Sequence, residues 1–340
     1  MSSAPQRGFV SDMRSCRNIW AVLLLLALPV AGLAASCTTQ AAMQPPDRVM
    51  LSTVALRLAS AIQQQDFAAL QAALLPAESS QWESIRAAAE QMVPLLSGGQ
   101  LQVTNLYLLD AASQAAPEDT QFFCSNSTGS ITVTVSMRSL PPGKYAVALA
   151  EAAGSALNGR LGIILAWSGV SSGGADGWKL AGLQAHQGAF GGHDGVWYWT
   201  RARALRDVDP WAAWYTYDAA RYLLLPVDYL SSPNLEKLEQ EQSQITPSPA
   251  FPLSLPDGDR VWKIDAMVLD PSLHVPDLGL AYESSGVTDP AALHTEALAV
   301  MSAFLKIQPG IRANFHGLWA YSVKDGKRSP VMELPMAKIP

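Results

Sequence analysis

The fold class is decided by residues 95–109, Leu95-Leu-Ser-Gly-Gly-Gln-Leu-Gln-Val-Thr-Asn-Leu-Tyr-Leu-Leu109, where a helical pattern gives way to a strand pattern. Before this stretch, apolar residues recur every three to four positions, which predicts two short helices over residues 53–74 and a third over residues 80–96. Gly98-Gly99 is a typical helix stop. After it, short apolar runs bounded by Gly, Pro, Asn and Ser predict strands over Leu101 to Leu109, Ser130 to Met137, Leu161 to Trp167 and Trp178 to Gln184. Helices followed by strands indicate an α+β fold.

The same region contains a turn into the second helix, Asp66-Phe-Ala-Ala-Leu70, and a closing strand, Gly177-Trp-Lys-Leu-Ala-Gly-Leu183. With the helix-then-strand order, these segments resemble the nuclear transport factor two-like superfamily over about residues 50–187. The resemblance implies a cone-like domain over residues 51–187, in which a curved sheet wraps onto helices. It also implies a mouth that binds a small molecule or performs acid/base chemistry, although many members are not enzymes. The superfamily's catalytic pairs have no residue-by-residue match in this chain.

The first 36 residues have the layout of a bacterial export signal. Two arginines precede an apolar run from Ile19 to Leu28, and small residues lead from there to Cys37. The run of about ten residues is shorter than the roughly 20 that a spanning helix needs. We therefore expect residues 1–36 to be a signal peptide that is removed. Translation starts at Met1 or at Met13, which would give a shorter basic leader.

The end of this leader, Ala34-Ala-Ser-Cys37, resembles the lipobox of bacterial lipoproteins. The resemblance implies that Cys37 is acylated and that residues 37–50 tether the protein to a membrane. Gly32-Leu-Ala34 also fits ordinary signal peptidase, so simple secretion and an uncleaved anchor stay open. If Cys37 is acylated, Cys124 is a lone thiol; if it is not, an oxidising periplasm permits a disulfide between them. The expected location is the periplasm or the outer membrane, with secretion as the alternative.

Composition excludes some classes of partner. Hydrophobic residues make up 49% of the chain and charged residues 15%, against a usual charged share of about 25%, which predicts a globular chain with a surface poor in ions. The net charge is −6 and no basic run occurs, so nucleic acid is not an expected partner. About 300 residues remain after the leader, enough for two or three domains.

Residues 194–245 are helical and strongly aromatic, and we interpret them as a helical hairpin linker. A first helix covers Gly195 to Asp207, a second runs from Pro210 to Leu225, and a third starts at Ser232. Aromatic rings stack on sugars and peptides and are enriched at interfaces. The candidate ligand-binding residues on this hairpin are Trp197, Trp199, Trp211 and Trp214. In the alternative interpretation, these rings pack against the flanking domains.

Residues 253–340 are predicted to form a C-terminal domain of β-β-α-β-β order. Strand patterns cover Arg260 to Asp270 and Leu278 to Tyr282, and Asp289-Pro290 opens a helix. Further strands, from Ile311 to Val323 and from Pro330 to Met336, flank a hairpin turn. We expect one helix on a curved antiparallel sheet.

No residue pattern predicts a catalytic or metal site. Gly169-Val-Ser-Ser-Gly173 matches a nucleophile elbow, but such an elbow needs a helix after the serine, and the glycine-rich continuation predicts a hairpin loop. His186 and His193 lack the close spacing of zinc or iron ligands, and three further histidines are scattered. We therefore expect no cofactor and no metal.

These patterns favour a non-catalytic binding or interaction module, tethered at a membrane, with an envelope protein or a glycan as partner. The alternative is a cone-superfamily hydrolase or isomerase whose acid/base site the sequence does not place. A buried Asp or His that faces another polar group inside the cone would favour the enzyme. An apolar interior would favour binding.

Overall fold

The computed structural model describes residues 35–169 and 177–340, so Ser171 of the elbow motif lies outside the described residues. The fold is α+β, with helices and mainly antiparallel sheets in separate blocks. Residues 35–340 form one compact unit. Within the described ranges, no helix combines the length and the apolar character needed to cross a bilayer.

Three helices form the outer layer of the N-terminal half. They are α1 (Pro45–Gln63), α2 (Phe67–Ala72) and α3 (Trp82–Leu96), the last preceded by a 3-10 turn over Pro76–Gln81. The Asp66 carboxylate caps α2 by accepting a hydrogen bond of 3.0 Å from the backbone N–H of Ala69, which satisfies one of the free donors of the first turn. The helices α2 and α3 lie close to their predicted positions, whereas α1 begins at Pro45 and not at residue 53.

The strands of the N-terminal half form two stacked sheets. In chain order they are β1 (Ser36–Thr39), β2 (Gln100–Asp110), β3 (Glu118–Ser125), β4 (Ile131–Leu140), β5 (Lys144–Ala153), β6 (Arg160–Trp167) and β7 (Trp178–His186). A five-stranded antiparallel sheet has the order β1-β2-β5-β6-β7, and β3 pairs with β4 in the second sheet. The sequence analysis did not predict β1, β3 or β5.

Each face of the five-stranded sheet is covered by its own core. On one face, α1 and α3 bury residues such as Leu58 and Ile62 against Leu106 and Ile163 of the sheet. On the other face, Phe122 and its neighbours on β3 and β4 pack onto the outward side chains of β2 and β5. The N-terminal half is therefore a three-layer structure of helices, large sheet and small sheet.

A disulfide joins the two sheets, because the Sγ atoms of Cys37 in β1 and Cys124 in β3 are bonded. The predicted tether over residues 37–50 is thus not free chain, since it contains most of β1 and the first turn of α1. The bond corresponds to the alternative in which Cys37 is not acylated. A sulfur atom that forms a disulfide cannot also carry the thioether of a lipid.

The aromatic segment folds into short strands and three helices. They are β8 (Ala189–Phe190), β9 (His193–Asp194), α4 (Gly195–Leu205), α5 (Pro210–Leu224), β10 (Leu230–Ser231) and α6 (Pro233–Ser243). Asp194, Asp209 and Ser232 cap the three helices through their side-chain oxygens. The two residues of β10 pair with β4, so this segment completes the small N-terminal sheet in the order β10-β4-β3.

The C-terminal half is a five-stranded sheet covered by helices. Its elements are β11 (Leu253–Asp257), β12 (Arg260–Asp270), β13 (Asp277–Glu283), α7 (Pro290–Ile307), α8 (Pro309–Asn314), β14 (Gly317–Lys324) and β15 (Lys327–Pro335). The strands pair in chain order. The order is therefore β-β-β-α-α-β-β, with one strand and one helix more than predicted.

Two details of this half correct the sequence prediction. Ile311 belongs to α8 and not to a strand, because Pro309 has the fixed φ that suits a first helical turn. The pair β13–β14 is parallel and not antiparallel, since the chain crosses over the sheet through α7 and α8 between these strands.

The hairpin and the C-terminal sheet share one core. Tyr215 and Leu223 of α5 are buried in the same cluster as Phe304 of α7 and Leu318 of β14. The predicted linker is thus one layer of the C-terminal half.

Candidate functional site: a polar cleft beside His186 and Asp228

An open cleft of about 860 Å³ lies between the small sheet, the end of β7 and the loop that leads into β10. Most of its lining residues have side chains that donate or accept hydrogen bonds. They are Asp119, Thr120, Gln121, Ser136, Met137, Arg138, Gln184, Asp228 and Tyr229. Clefts of this size are typical of small-molecule sites.

The alternation of β3 and β4 builds one wall. Gln121 and Ser136 are directly paired across the two strands, and both are exposed. The intervening residues Phe122 and Val135 point into the core, as the period of two along a strand requires. The loop is fixed to this wall because the backbone N–H of Ser136 donates to the carbonyl of Tyr229 at 2.8 Å.

A side-chain clamp fixes the opposite wall. The backbone N–H of Asp228 donates to Gln184 Oε1 at 2.9 Å, and Gln184 Nε2 donates back to the Asp228 carboxylate. The Asp228 side chain stays 69% exposed despite this clamp. Its carboxylate therefore has a fixed position and remains accessible to a ligand.

His186 lies behind this carboxylate. Its Nε2 atom is 3.6 Å from Asp228 Oδ1, and the side chain is only 13% exposed. Burial lowers the pKa of His186, and the negative charge of Asp228 offsets only part of this shift. The imidazole also contacts the edge of the Tyr222 ring, with centroids 5.5 Å apart. A neutral imidazole therefore lies close to an accessible carboxylate at this end of the cleft.

Tyr229 and Val227 attach the loop to the large sheet. A Cβ atom at Gly162 of β6 would lie 2.1 Å from Val227 Cγ1 and 3.0 Å from the Tyr229 hydroxyl. Only glycine leaves room for this close approach. The Tyr229 hydroxyl is buried and makes no hydrogen bond with the described residues. Burial is also the main reason why its pKa is raised.

Several groups in the cleft are free to bind a ligand. Among the described residues, the side chains of Gln121, Ser136 and Arg138 make no hydrogen bond or ion pair. Asp119 Oδ1 accepts one hydrogen bond of 2.8 Å, from the backbone N–H of Ser139. The cleft thus offers an amide, a hydroxyl, a guanidinium and two carboxylates, which together can donate and accept hydrogen bonds.

The space between the helices and the large sheet is different, because it is apolar. Of the buried polar or charged side chains in the described ranges, none comes from α1, α2, α3 or the strands of the large sheet. A smaller groove of about 230 Å³ between α3 and β7 contains Glu78 as its titratable group. In the described residues, the side chains buried between the helices and the large sheet are therefore apolar.

The four candidate tryptophans have separate environments. Trp211 contacts Phe251 and Phe304 of the C-terminal half, with centroids 5.9 and 6.2 Å away. Trp214 is partly buried against the same core. These two rings join the hairpin to the neighbouring sheet and helices, as the alternative interpretation expects.

The other two tryptophans lie on α4. Trp199 Nε1 donates to Glu241 Oε2 at 2.8 Å, and the Arg203 guanidinium lies 4.3 Å above its ring. Trp197 is 42% exposed and stacks on His193, with ring centroids 3.9 Å apart. Of the four, Trp197 presents the most open ring, and none of them lines the cleft.

The sequence analysis did not find the cleft residues, because they come from three segments far apart in the chain. Polar and apolar residues alternate along β4, and this pattern could have indicated the exposed wall. No family model, curated protein or solved structure matches this chain. The resemblance to the nuclear transport factor two-like superfamily therefore stays a prediction.

Proposed function

We propose that this protein is an exported, non-catalytic binding module of the cell envelope, and that its cleft binds a neutral, hydroxyl-rich ligand such as a glycan. The leader pattern supports export. The Cys37–Cys124 disulfide supports an oxidising compartment such as the periplasm, because disulfides rarely persist in the cytosol. Membrane attachment through a lipid on Cys37 is not part of this proposal.

The cleft carries the argument for binding. Arg138 and Gln121 have no partner among the described residues, while Asp228 is clamped and exposed. Asp228, which Gln184 holds in place, can bond a ligand at little cost in conformational entropy, whereas Gln121 and Arg138 lose side-chain freedom when they bind. Charges of both signs line the cleft, so a neutral ligand fits it better than a polyanion.

The lining lacks the large apolar and aromatic anchors that a protein partner would need. Binding hot spots between proteins are rich in Trp, Tyr and large apolar residues. The cleft offers only Met137 and Tyr229 of this kind, and the Tyr229 hydroxyl points into the structure. Its other side chains match the alternating donors and acceptors of sugar hydroxyl groups.

A binding assay tests the proposal. We expect one or more members of a panel of soluble peptidoglycan fragments and neutral oligosaccharides to bind the exported protein in calorimetry. Arg138→Ala and Gln121→Ala should each weaken binding by about tenfold or more, since a hydrogen bond contributes roughly 1 to 2 kcal/mol. Arg328→Ala, at an exposed arginine of β15, is the matched control and should bind normally.

Absence of binding across the panel, or equal losses in Arg138→Ala and Arg328→Ala, would refute the glycan proposal. Capture of an envelope protein that depends on Arg138 would replace the glycan by a protein partner.

One observation favours the enzyme alternative, namely the His186–Asp228 pair at the end of the cleft. A neutral histidine beside a carboxylate can act as a general base. Mass spectrometry of the bound oligosaccharide separates the two functions. Slow cleavage that His186→Ala abolishes would indicate a hydrolase, and an unchanged oligosaccharide would support the binding module.

A further inference from the structure

Three potential metal ligands meet at one end of the C-terminal sheet, far in sequence from the cleft residues. Asp277 is the first residue of β13, His316 directly precedes β14, and Glu333 lies near the end of β15. Because β13 and β14 are parallel and β15 is antiparallel to β14, these positions fall at the same end of neighbouring strands. One ligand atom from each residue lies within 4.8 Å of the other two.

Each of the two carboxylates has one buried oxygen without a hydrogen-bond partner. The Asp277 side chain is fully buried, and its Oδ1 atom is 2.9 Å from His316 Nδ1. Neither Asp277 Oδ2 nor Glu333 Oε1 is exposed to solvent, and neither has a hydrogen bond in the described structure. Burying an unpaired carboxylate oxygen is costly, so such atoms need a cation or a proton close by.

Gly317 makes this convergence possible. A Cβ atom at this position would lie 2.8 Å from Glu333 Oε1 and 3.0 Å from Asp277 Oδ1. Any side chain here would push the two carboxylates away from their present positions. Because residue 317 has no side chain, Asp277 Oδ1 and Glu333 Oε1 can approach the same point next to His316.

We propose that Asp277, His316 and Glu333 bind a divalent transition-metal ion, with Zn²⁺ as the best match. One imidazole nitrogen with two carboxylate oxygens is a mixed donor set that suits zinc, whereas magnesium and calcium prefer oxygen donors alone. Three protein ligands leave a coordination position open. The His316 side chain is 44% exposed, so water can reach that position from the surface.

The observed distances are close to those of a coordination shell. Ligand atoms about 2.1 Å from a common ion are separated by roughly 3 to 4 Å. The 2.9 Å between His316 Nδ1 and Asp277 Oδ1 is near this range. The ligand atom of Glu333 lies within 4.8 Å of the other two, and a bound ion would draw it closer and replace the hydrogen bond between Asp277 and His316.

Calorimetry and elemental analysis test the site directly. The exported protein is stripped of bound metal with a chelator. It is then titrated at neutral pH with Zn²⁺ and, in a separate experiment, with Mn²⁺. We expect one Zn²⁺ per chain, with Zn²⁺ bound more tightly than Mn²⁺. Glu333→Gln and His316→Ala should each lower the Zn²⁺ affinity by about 100-fold, since losing even a supporting residue of a metal site costs about 10- to 100-fold. X-ray absorption of the zinc-loaded protein should show one imidazole with oxygen ligands and no sulfur.

Control variants distinguish the loss of a metal ligand from a loss of folding. His294→Ala, at an exposed histidine of α7, should bind Zn²⁺ normally. Circular dichroism should show that Glu333→Gln and His316→Ala are folded. A third variant, Gly317→Ala, retains all three ligands but should bind Zn²⁺ weakly. Zn²⁺ binding that survives both Glu333→Gln and His316→Ala, or no stoichiometric binding of Zn²⁺ or Mn²⁺, would overturn the proposal and leave a shared proton as the partner of the two carboxylates.

Discussion

At the scale of single residues, Asp218 is a carboxyl group whose folded environment favours its protonated form. It lies in α5, where its Oδ1 atom accepts a hydrogen bond of 2.7 Å from Gln242 Nε2. Burial raises its pKa from 3.8 to about 6, although the Gln242 hydrogen bond and the charge of Arg221 lower it in part. The folded protein therefore holds this proton at a pH at which the unfolded chain releases it.

The sign of the pH dependence follows from this shift. Because the folded pKa is the higher one, the contribution of Asp218 to stability is complete below about pH 4 and is lost as the pH rises through 6. Relative to Asp218→Asn, the wild-type free energy of unfolding should fall by up to about 3 kcal/mol between pH 4 and pH 7.5. Urea unfolding at the two pH values measures the difference.

Asp207→Asn is the control for this prediction, because the Asp207 side chain is 82% exposed. The free energy of unfolding of Asp207→Asn should differ from that of the wild type by the same small amount at both pH values. A pH-independent difference between the wild type and Asp218→Asn would show that Asp218 ionises normally in the folded state.

At the scale of secondary-structure elements, the disulfide fixes the short edge strand β1 to β3. It closes a loop of 87 residues, which gives about 4 to 5 kcal/mol in the chain-entropy account of disulfide stabilisation. We expect Cys37→Ala with Cys124→Ala to lower the free energy of unfolding by about 2 to 5 kcal/mol, measured in urea.

Reductant provides the control for the disulfide. It should destabilise the wild-type protein by a similar amount and leave the double variant unchanged. Incorporation of a labelled fatty acid that Cys37→Ala abolishes would contradict the disulfide and confirm the lipoprotein prediction.

Helices were predicted better than strands, for reasons that particular elements show. The α4–α5 boundary is marked by Asp209 and Pro210, which have local roles as cap and first helical residue. By contrast, β5 is rich in alanine and buried on both faces, so it lacks the alternation of polar and apolar residues, and Val147 is its one β-branched residue. The strand β3 begins with the polar residues Glu118-Asp-Thr-Gln121, which do not give a strand pattern. Its buried side chains pack against distant elements of the chain.

At the scale of the whole molecule, the hairpin and the C-terminal sheet form one folding unit. Tyr217 and Leu223 share a core with Phe304 and Leu318. A fragment of residues 253–340 would expose the apolar surface that α4 and α5 cover. We expect this fragment to unfold without a cooperative transition in urea, whereas residues 189–340 should unfold cooperatively. Tryptophan fluorescence is the readout, and cooperative unfolding of both fragments at the same midpoint would disprove the shared core.

Neither site was predictable from sequence, because both depend on long-range pairing. Asp228 meets Gln184 only because the chain returns to the large sheet after a helical hairpin. His316 is one of the three further histidines scattered along the sequence, and its carboxylate neighbours are brought to it only by the pairing of β13, β14 and β15. Composition and periodicity describe single elements, and such sites are properties of several elements together.

The contact between Val227 and Gly162 has a consequence for sequence evolution. The Val227 side chain fills the space that a Cβ atom of Gly162 would occupy. A larger residue at 162 is tolerated only when 227 becomes smaller at the same time. Substitution at these two positions is therefore expected to be correlated, and the pair constrains how far the loop with Asp228 and Tyr229 can diverge.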